Sequence, residues 1–120
     1  MYVEDLEGAR KFYEKYFGAS ANAKYLNPKT GLETYFISFD GGARLEIMTR
    51  PKLLPHAGES MCMGLAHIAF KLESEDAVNT LTRRLADDGF AVVSAPRTTG
   101  DGCYESCIKD PEGNLVEITA

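Results

Sequence analysis

An α+β fold built from two βαβββ modules is what this sequence predicts, and three observations carry the prediction. The order strand, helix, strand, hairpin is met twice along the chain. Each half holds one segment with helical periodicity between segments of strand-like alternation. The closing hairpins of the two halves also resemble each other residue by residue.

The first module opens on the end of a strand, Met1-Tyr2-Val3-Glu4. A helix follows over about Asp5 to Phe17, with Asp5 as N-cap and Glu7 adding negative charge to its first turn. Leu6, Ala9, Phe12, Tyr13, Tyr16 and Phe17 recur at helical spacing, Lys15 lies in the last turn, and Gly18 suits a left-handed C-cap. Tyr25-Leu26 fits a short strand, and Asn27 to Gly31 is a turn cluster. Thr34 to Phe39 is an aromatic-rich strand, Asp40-Gly41-Gly42 a tight turn, and Ala43 to Met48 the returning strand. Arg50 to Met63 has prolines, glycines and no periodicity, so it reads as a linker.

The second module starts with a strand through His67 that ends near Leu72. Ala66, Ile68, Phe70 and Leu72 form its apolar side, which leaves His67 in mid-strand on the other side. Ser74 caps a helix whose buried stripe is Val78, Leu81, Leu85 and Ala86, and Gly89 ends it. Phe90 to Val93 is a short strand, Pro96 to Gly102 a polar loop, Cys103 to Lys109 a strand, Asp110 to Gly113 a turn and Asn114 to Thr119 the last strand. One domain is expected over 1–120, with module one at about 1–50, a linker at 51–64 and module two at about 65–120.

Superposing Asp40 on Asp110 aligns the two hairpins with one residue inserted in the second turn, and makes Glu46 and Glu117 equivalent. Placing Glu73-Ser74 on Glu4-Asp5 puts the counterpart of His67 three residues before Met1. The first strand is therefore expected to be cut short and to leave an edge of the first sheet unpaired.

Composition excludes several classes. The formal charge is −5, and beyond Arg83-Arg84 there is no basic cluster of the kind that tracks phosphates, so nucleic acid is not an expected partner. No stretch has membrane length or a signal-peptide pattern, and Cys62, Cys103 and Cys107 read as free thiols, so a cytoplasmic protein is expected.

His67, Glu46 and Glu117 share one description: each sits in a strand, between apolar neighbours, and points away from them. A strand glutamate taken alone is ordinarily just solvated. One imidazole and two carboxylates related by a repeat suit a divalent metal, with zinc, nickel, cobalt, manganese or iron favoured over calcium.

Several segments together resemble the vicinal oxygen chelate superfamily, the glyoxalase, bleomycin-resistance and extradiol-dioxygenase group. They are Tyr2 to Tyr13 with Tyr16-Phe17-Gly18-Ala19, Ala43 to Met48, Ala66 to Phe70, and Asp110 to Ile118. The resemblance implies a curved, open-barrel mixed sheet. Glu46 on the last strand of the first module makes the chain similar to the glyoxalase I branch, whose members take a His and a Glu from each module. On that resemblance Glu46, His67 and Glu117 are metal ligands, zinc or nickel being the first choice. The first-module His has no counterpart in these residues, and His56 in the linker is a poor substitute.

The implied reaction is isomerisation of the hemithioacetal of methylglyoxal and glutathione, or another thiol, to a thioester. The implied metal polarises the vicinal oxygens, and Glu117, or Glu46 on a pseudo-symmetric site, moves the proton. A homodimer sharing sites between chains is implied as well. For substrate binding, Arg97 is a candidate to hold a carboxylate and Tyr104 to line the pocket, with Phe36, Met48 and Met61 as apolar walls. The alternatives are a drug-binding protein of the bleomycin-resistance kind without metal chemistry, and another metal-dependent reaction of the superfamily, thiol transfer or ring-cleaving oxygenation.

Overall fold

The computed structural model of the chain describes residues 1–54, 65–100 and 102–120. The architecture is α+β, with one helix and one four-stranded sheet in each of two compact units, Met1–Ala57 and Gly58–Ala120.

In unit 1 the helix α1 spans Leu6–Phe17. The Asp5 carboxylate accepts from the Gly8 backbone N–H at 2.9 Å, satisfying a donor that the first turn leaves open. Gly18 closes the helix at φ 62°, a left-handed conformation without penalty in a residue lacking Cβ. Leu6, Ala9, Phe12, Tyr13 and Tyr16 are buried, as their spacing predicts. Glu7, on the polar side, accepts from the Tyr35 hydroxyl at 2.8 Å and pairs with Arg10 and Lys24. The Tyr35 hydrogen bond, with help from both cations, holds the Glu7 carboxyl below its ordinary range against the opposing effect of burial.

Strands β1 (Ser20–Ala21) and β2 (Tyr25–Leu26) both pair antiparallel with β3 (Glu33–Ser38), and β4 (Arg44–Thr49) covers the other edge of β3 along its length. The second strand of the module is thus a broken one, and Asn22 bridges the break by hydrogen bonds with Phe36 at 2.8 and 3.1 Å. Tyr35, Ile37 and Ile47 are buried. Phe36 and Glu46 are register partners on the opposite face. The edge expected to stand unpaired is partly covered: Met1–Val3 runs parallel to β4, with Val3 N–H donating to Met48 and Met48 N–H to Met1, both at 3.0 Å.

In unit 2 the sheet order is β5 (Ile68–Lys71), β8 (Leu115–Thr119), β7 (Tyr104–Lys109), β6 (Val92–Thr98). β5 runs parallel to β8 and the other pairs are antiparallel. Helix α2 (Glu75–Asp87) begins at Ser74, whose hydroxyl accepts from Ala77 N–H at 3.2 Å. The buried helix positions are Val78, Thr82 and Leu85; Ala86, expected in the stripe, is exposed. A threonine is tolerated there because its hydroxyl is fully occupied: it donates to the Val78 carbonyl at 2.7 Å and meets the Ser106 hydroxyl at 2.6 Å. Beneath the helix lie Ser106, Ile108, Val116 and Ile118, all 0% exposed.

Two further expectations are corrected. The strand predicted at Phe90 to Val93 is β6, running Val92–Thr98, so Pro96 and Arg97 lie in a strand rather than a loop. Proline is accommodated because β6 is the edge of the sheet and its pairing with β7 shifts register twice. The hairpins also superpose without an insertion. Phe39 N–H donates to Ala43 and Asp110 N–H to Asn114, both at 2.9 Å, while Glu46 opposes Phe36 and Glu117 opposes Cys107. Ile37 therefore matches Ile108, both fully buried, and the inward-facing residues override the similarity of Asp40 to Asp110. The equivalence of Glu46 and Glu117 stands.

At the second hairpin the buried Asp110 carboxylate accepts from the Glu112 and Asn114 N–H groups at 3.0 and 2.8 Å. Asp110→Ala is expected to cost about 1–3 kcal/mol, because these donors lose their partner inside a tight turn. Chemical denaturation of the variant reads this directly, and an unchanged midpoint would show that water takes over both bonds.

Candidate functional site

The two faces of the unit 2 sheet differ in chemistry. Tyr104, Ser106 and Ile108 alternate toward α2, as the Ser106–Thr82 contact and a 2.8 Å hydrogen bond from the Tyr104 hydroxyl to Asn79 establish. Glu105, Cys107 and Lys109 of β7 and Leu115, Glu117 and Thr119 of β8 occupy the other face, in cross-strand register. His67 stands one residue ahead of β5 and reaches the same face. It is therefore not in mid-strand as expected, because parallel pairing to β8 begins only at Ile68 opposite Val116.

The structure brings His67 and Glu117 together. His67 Nε2 lies 3.0 Å from Glu117 Oε2, with the imidazole side chain 40% and the carboxylate side chain 22% exposed. Without an ion this is a close imidazole–carboxylate contact. The same separation also fits two ligands on one ion, since donors about 2.1 Å from a metal and at right angles stand about 3.0 Å apart. The pair thus fits part of a metal's requirement. Among the described residues no group of three or more His, Cys, Asp or Glu side chains is gathered for one ion.

Glu46 holds the matching place in unit 1, on β4 opposite Phe36. It is half-buried; its carbonyl accepts from the Met1 ammonium at 2.6 Å, and its carboxylate has no hydrogen bond or ion pair among the described residues. Arg97 projects from β6 beside Glu105, at 3.7 Å from Oε1, and donates to the Ser94 hydroxyl. Tyr104, expected to line the pocket, instead faces α2, because it shares the alternation of Ser106. His56 and Met61 lie outside the described residues, as does Cys62.

Cys107 is the residue that motif reading missed. It is a half-buried free thiol directly opposite Glu117. Burial pushes the thiol above its ordinary range, the negative charges of Glu117 and Glu105 push it the same way, and Arg97 opposes them. Only the cross-strand register identifies it, and that register was offset by one in the sequence alignment. Cys107 is expected to alkylate more slowly with iodoacetamide at neutral pH than exposed Cys103, and several-fold faster in Glu117→Gln, where one negative neighbour is gone. Peptide mass spectrometry separates the two thiols. An unchanged rate in the variant would mean that Glu117 does not act on the thiol.

The family model for the Glyoxalase/Bleomycin resistance protein/Dioxygenase superfamily matches residues 1–118. The chain belongs to this superfamily. Its members include enzymes such as glyoxalase I, act on small molecules and are generally metal-dependent. The uncharacterized protein YqjT of Bacillus subtilis (strain 168) is 27% identical over 123 residues, covering 100% of this chain and 94% of that protein. A glyoxylase/bleomycin resistance protein/dioxygenase domain from Frankia sp. EAN1pec superposes with a TM-score of 0.82 at 18% identity, covering 98% of this chain and 90% of that one. A possible glyoxalase from Bacillus cereus gives 0.73 at 25% identity over 100% and 93% of the two chains. Glyoxalase I from Zea mays gives 0.80 at 20% identity, and there this chain corresponds to 41% of the longer maize chain. The fold expected from the repeat is thus the superfamily fold. No helix among the described residues is long and apolar enough to cross a membrane.

Proposed function

We propose that this superfamily member is a metal-dependent lyase of the glyoxalase I type. It would convert the hemithioacetal of methylglyoxal and glutathione, or of another thiol, to a thioester. The observation that carries the reading is the His67–Glu117 pair, 3.0 Å apart on the face of the sheet turned from α2. Glu46 at the equivalent hairpin position adds to it. His67 and Glu117 would hold the ion, with Glu46 the third protein donor, from the same chain or from its partner in a cytoplasmic homodimer. Zinc or nickel is the first choice; cobalt, manganese and iron suit the same donors.

When bound, the ion supplies Lewis acidity to adjacent substrate oxygens. Glu117 accepts the proton from the carbon that bears the hydroxyl and the sulfur and returns it to the former carbonyl carbon, while the hydroxyl proton passes to the former carbonyl oxygen, so the carboxylate ends as it began. His67 Nε2 stands beside Oε2 of that carboxylate, which leaves Oε1 for the proton. Glu46 is the alternative base, since the repeat places it like Glu117. Cys107 keeps its proton and forms part of the wall beside Glu117.

Metal analysis of the purified protein, followed by thioester formation from methylglyoxal and glutathione, tests the reading. Binding of a divalent ion with thioester production is expected. A protein that takes up no divalent ion, forms no thioester and yet sequesters an apolar drug would be a binding protein of the bleomycin-resistance kind.

A further inference from the structure

Helix α2 does not cover its face of the unit 2 sheet out to the edge strand. Register sets Val92 opposite Ile108 and Thr98 opposite Tyr104, so both ends of β6 share the side turned to α2. Ile108 is 0% exposed there, yet Val92 is 38% exposed. Two register shifts lie between Val92 and Arg97, and irregularities of this kind bend the strand that carries them. A cleft of about 290 Å³ opens between α2 and β6. It lies on the opposite face of the sheet from His67 and Glu117.

The helix wall of the cleft is Asn79, Thr82, Arg83 and Ala86, and the strand wall is Val92, Ala95 and Pro96. Spacings of three, four and seven residues put the first four on one helix face. Polar and apolar groups are sorted along this wall. Asn79 stands at the Tyr104 end, where its Oδ1 accepts from the Tyr104 hydroxyl and its amide N–H groups remain for a ligand. Arg83, one turn on, is exposed and has no hydrogen bond or ion pair among the described residues, not even with Asp87. The Thr82 hydroxyl between them is occupied by Val78 and Ser106. At the other end Ala86 and Val92 flank the short connection from helix to strand and offer only apolar surface.

We infer that this cleft binds a small organic carboxylate, its anionic end held by Arg83 and Asn79 and its apolar body laid along Ala86 and Val92. An unpaired guanidinium beside an amide donor suits a planar two-oxygen anion. The volume is at the lower end of what ligand pockets occupy, about 300–1,000 Å³, which suits one ring on a short chain. The inference is independent of the lyase reading, since none of its residues lies on the face that carries Glu117.

Calorimetric titration of the purified protein with 4-phenylbutyrate and with the neutral 4-phenylbutan-1-ol tests the assignment. The carboxylate is expected to bind about tenfold tighter than the alcohol, as suits one charge-assisted contact. Arg83→Gln removes that preference and leaves alcohol binding unchanged, while Arg97→Gln, on the other face, keeps it. Ala95→Trp fills the cleft and abolishes binding of both probes with thermal unfolding unchanged, because Ala95 is exposed. Equal binding of the two probes, binding of neither, or a preference that survives Arg83→Gln overturns the assignment. Sedimentation velocity reads the competing occupant: a dimer that Ala95→Trp dissociates would make the cleft an interface between copies of the chain and overturn the assignment as well.

Discussion

Replacing Glu117 with Gln is expected to lower turnover of the hemithioacetal about a hundred- to ten-thousand-fold, the usual contribution of a positioned base. The substitution keeps the shape of the side chain and removes its ability to take a proton. Glu117 is flanked in its strand by Val116 and Ile118, both 0% exposed, so the backbone that carries it is fixed by the core and should not move. The amide oxygen of Gln keeps an oxygen donor beside His67 Nε2, though a weaker one than the carboxylate. Metal content measured beside the rate divides the outcomes. Lost turnover with the metal retained assigns proton transfer to Glu117. Loss of both assigns it chiefly to metal holding. Full activity removes it as the base and moves the role to Glu46.

The largest effect on stability is expected from Leu85→Ala. Leu85 is 0% exposed and belongs to the set of α2 residues buried with Val78 and Thr82. Truncation removes buried methyl groups and leaves a cavity that a helix packed on a sheet closes only in part, so the expected cost is about 2–5 kcal/mol. For a chain of this size that corresponds to a fall in Tm on the order of 10–20 °C. Ala86→Gln on the same helix is the matched control. Helical spacing alone puts Ala86 in the stripe, whereas it is exposed in the structure, so this change should stay within about 0.5 kcal/mol. Thermal unfolding of both variants decides between the two placements, and a costly Ala86→Gln with a mild Leu85→Ala would refute the observed helix orientation.

The helix result shows what kind of information a linear pattern holds. Val78, Leu81, Leu85 and Ala86 form one arc by hydrophobicity, yet Thr82 takes the buried place between Val78 and Leu85. A threonine can do so only because Ser106 lies opposite it at 2.6 Å, a contact 24 positions away in the chain. Hydrophobicity assigned to single residues cannot anticipate a polar pair that satisfies itself.

Much else follows from local chemistry and was legible. The caps Asp5 and Ser74, the left-handed Gly18, the two helices, the hairpins and the duplication all depend on neighbours within one turn or on a pattern of period two. The candidate residues were legible as well, because a His and two Glu among apolar strand neighbours stand out against a core pattern. The approach of His67 to Glu117, the turn of Tyr104 toward Asn79 and the pairing of Arg97 with Glu105 required the tertiary structure. Each depends on which strand lies beside which and in what register, and a shift of one residue reverses the face of every side chain. Cys107 opposite Glu117 is the clearest case: the superposition of hairpins by similar letters was displaced by one residue, and only the inward-facing Ile37 and Ile108 set it right.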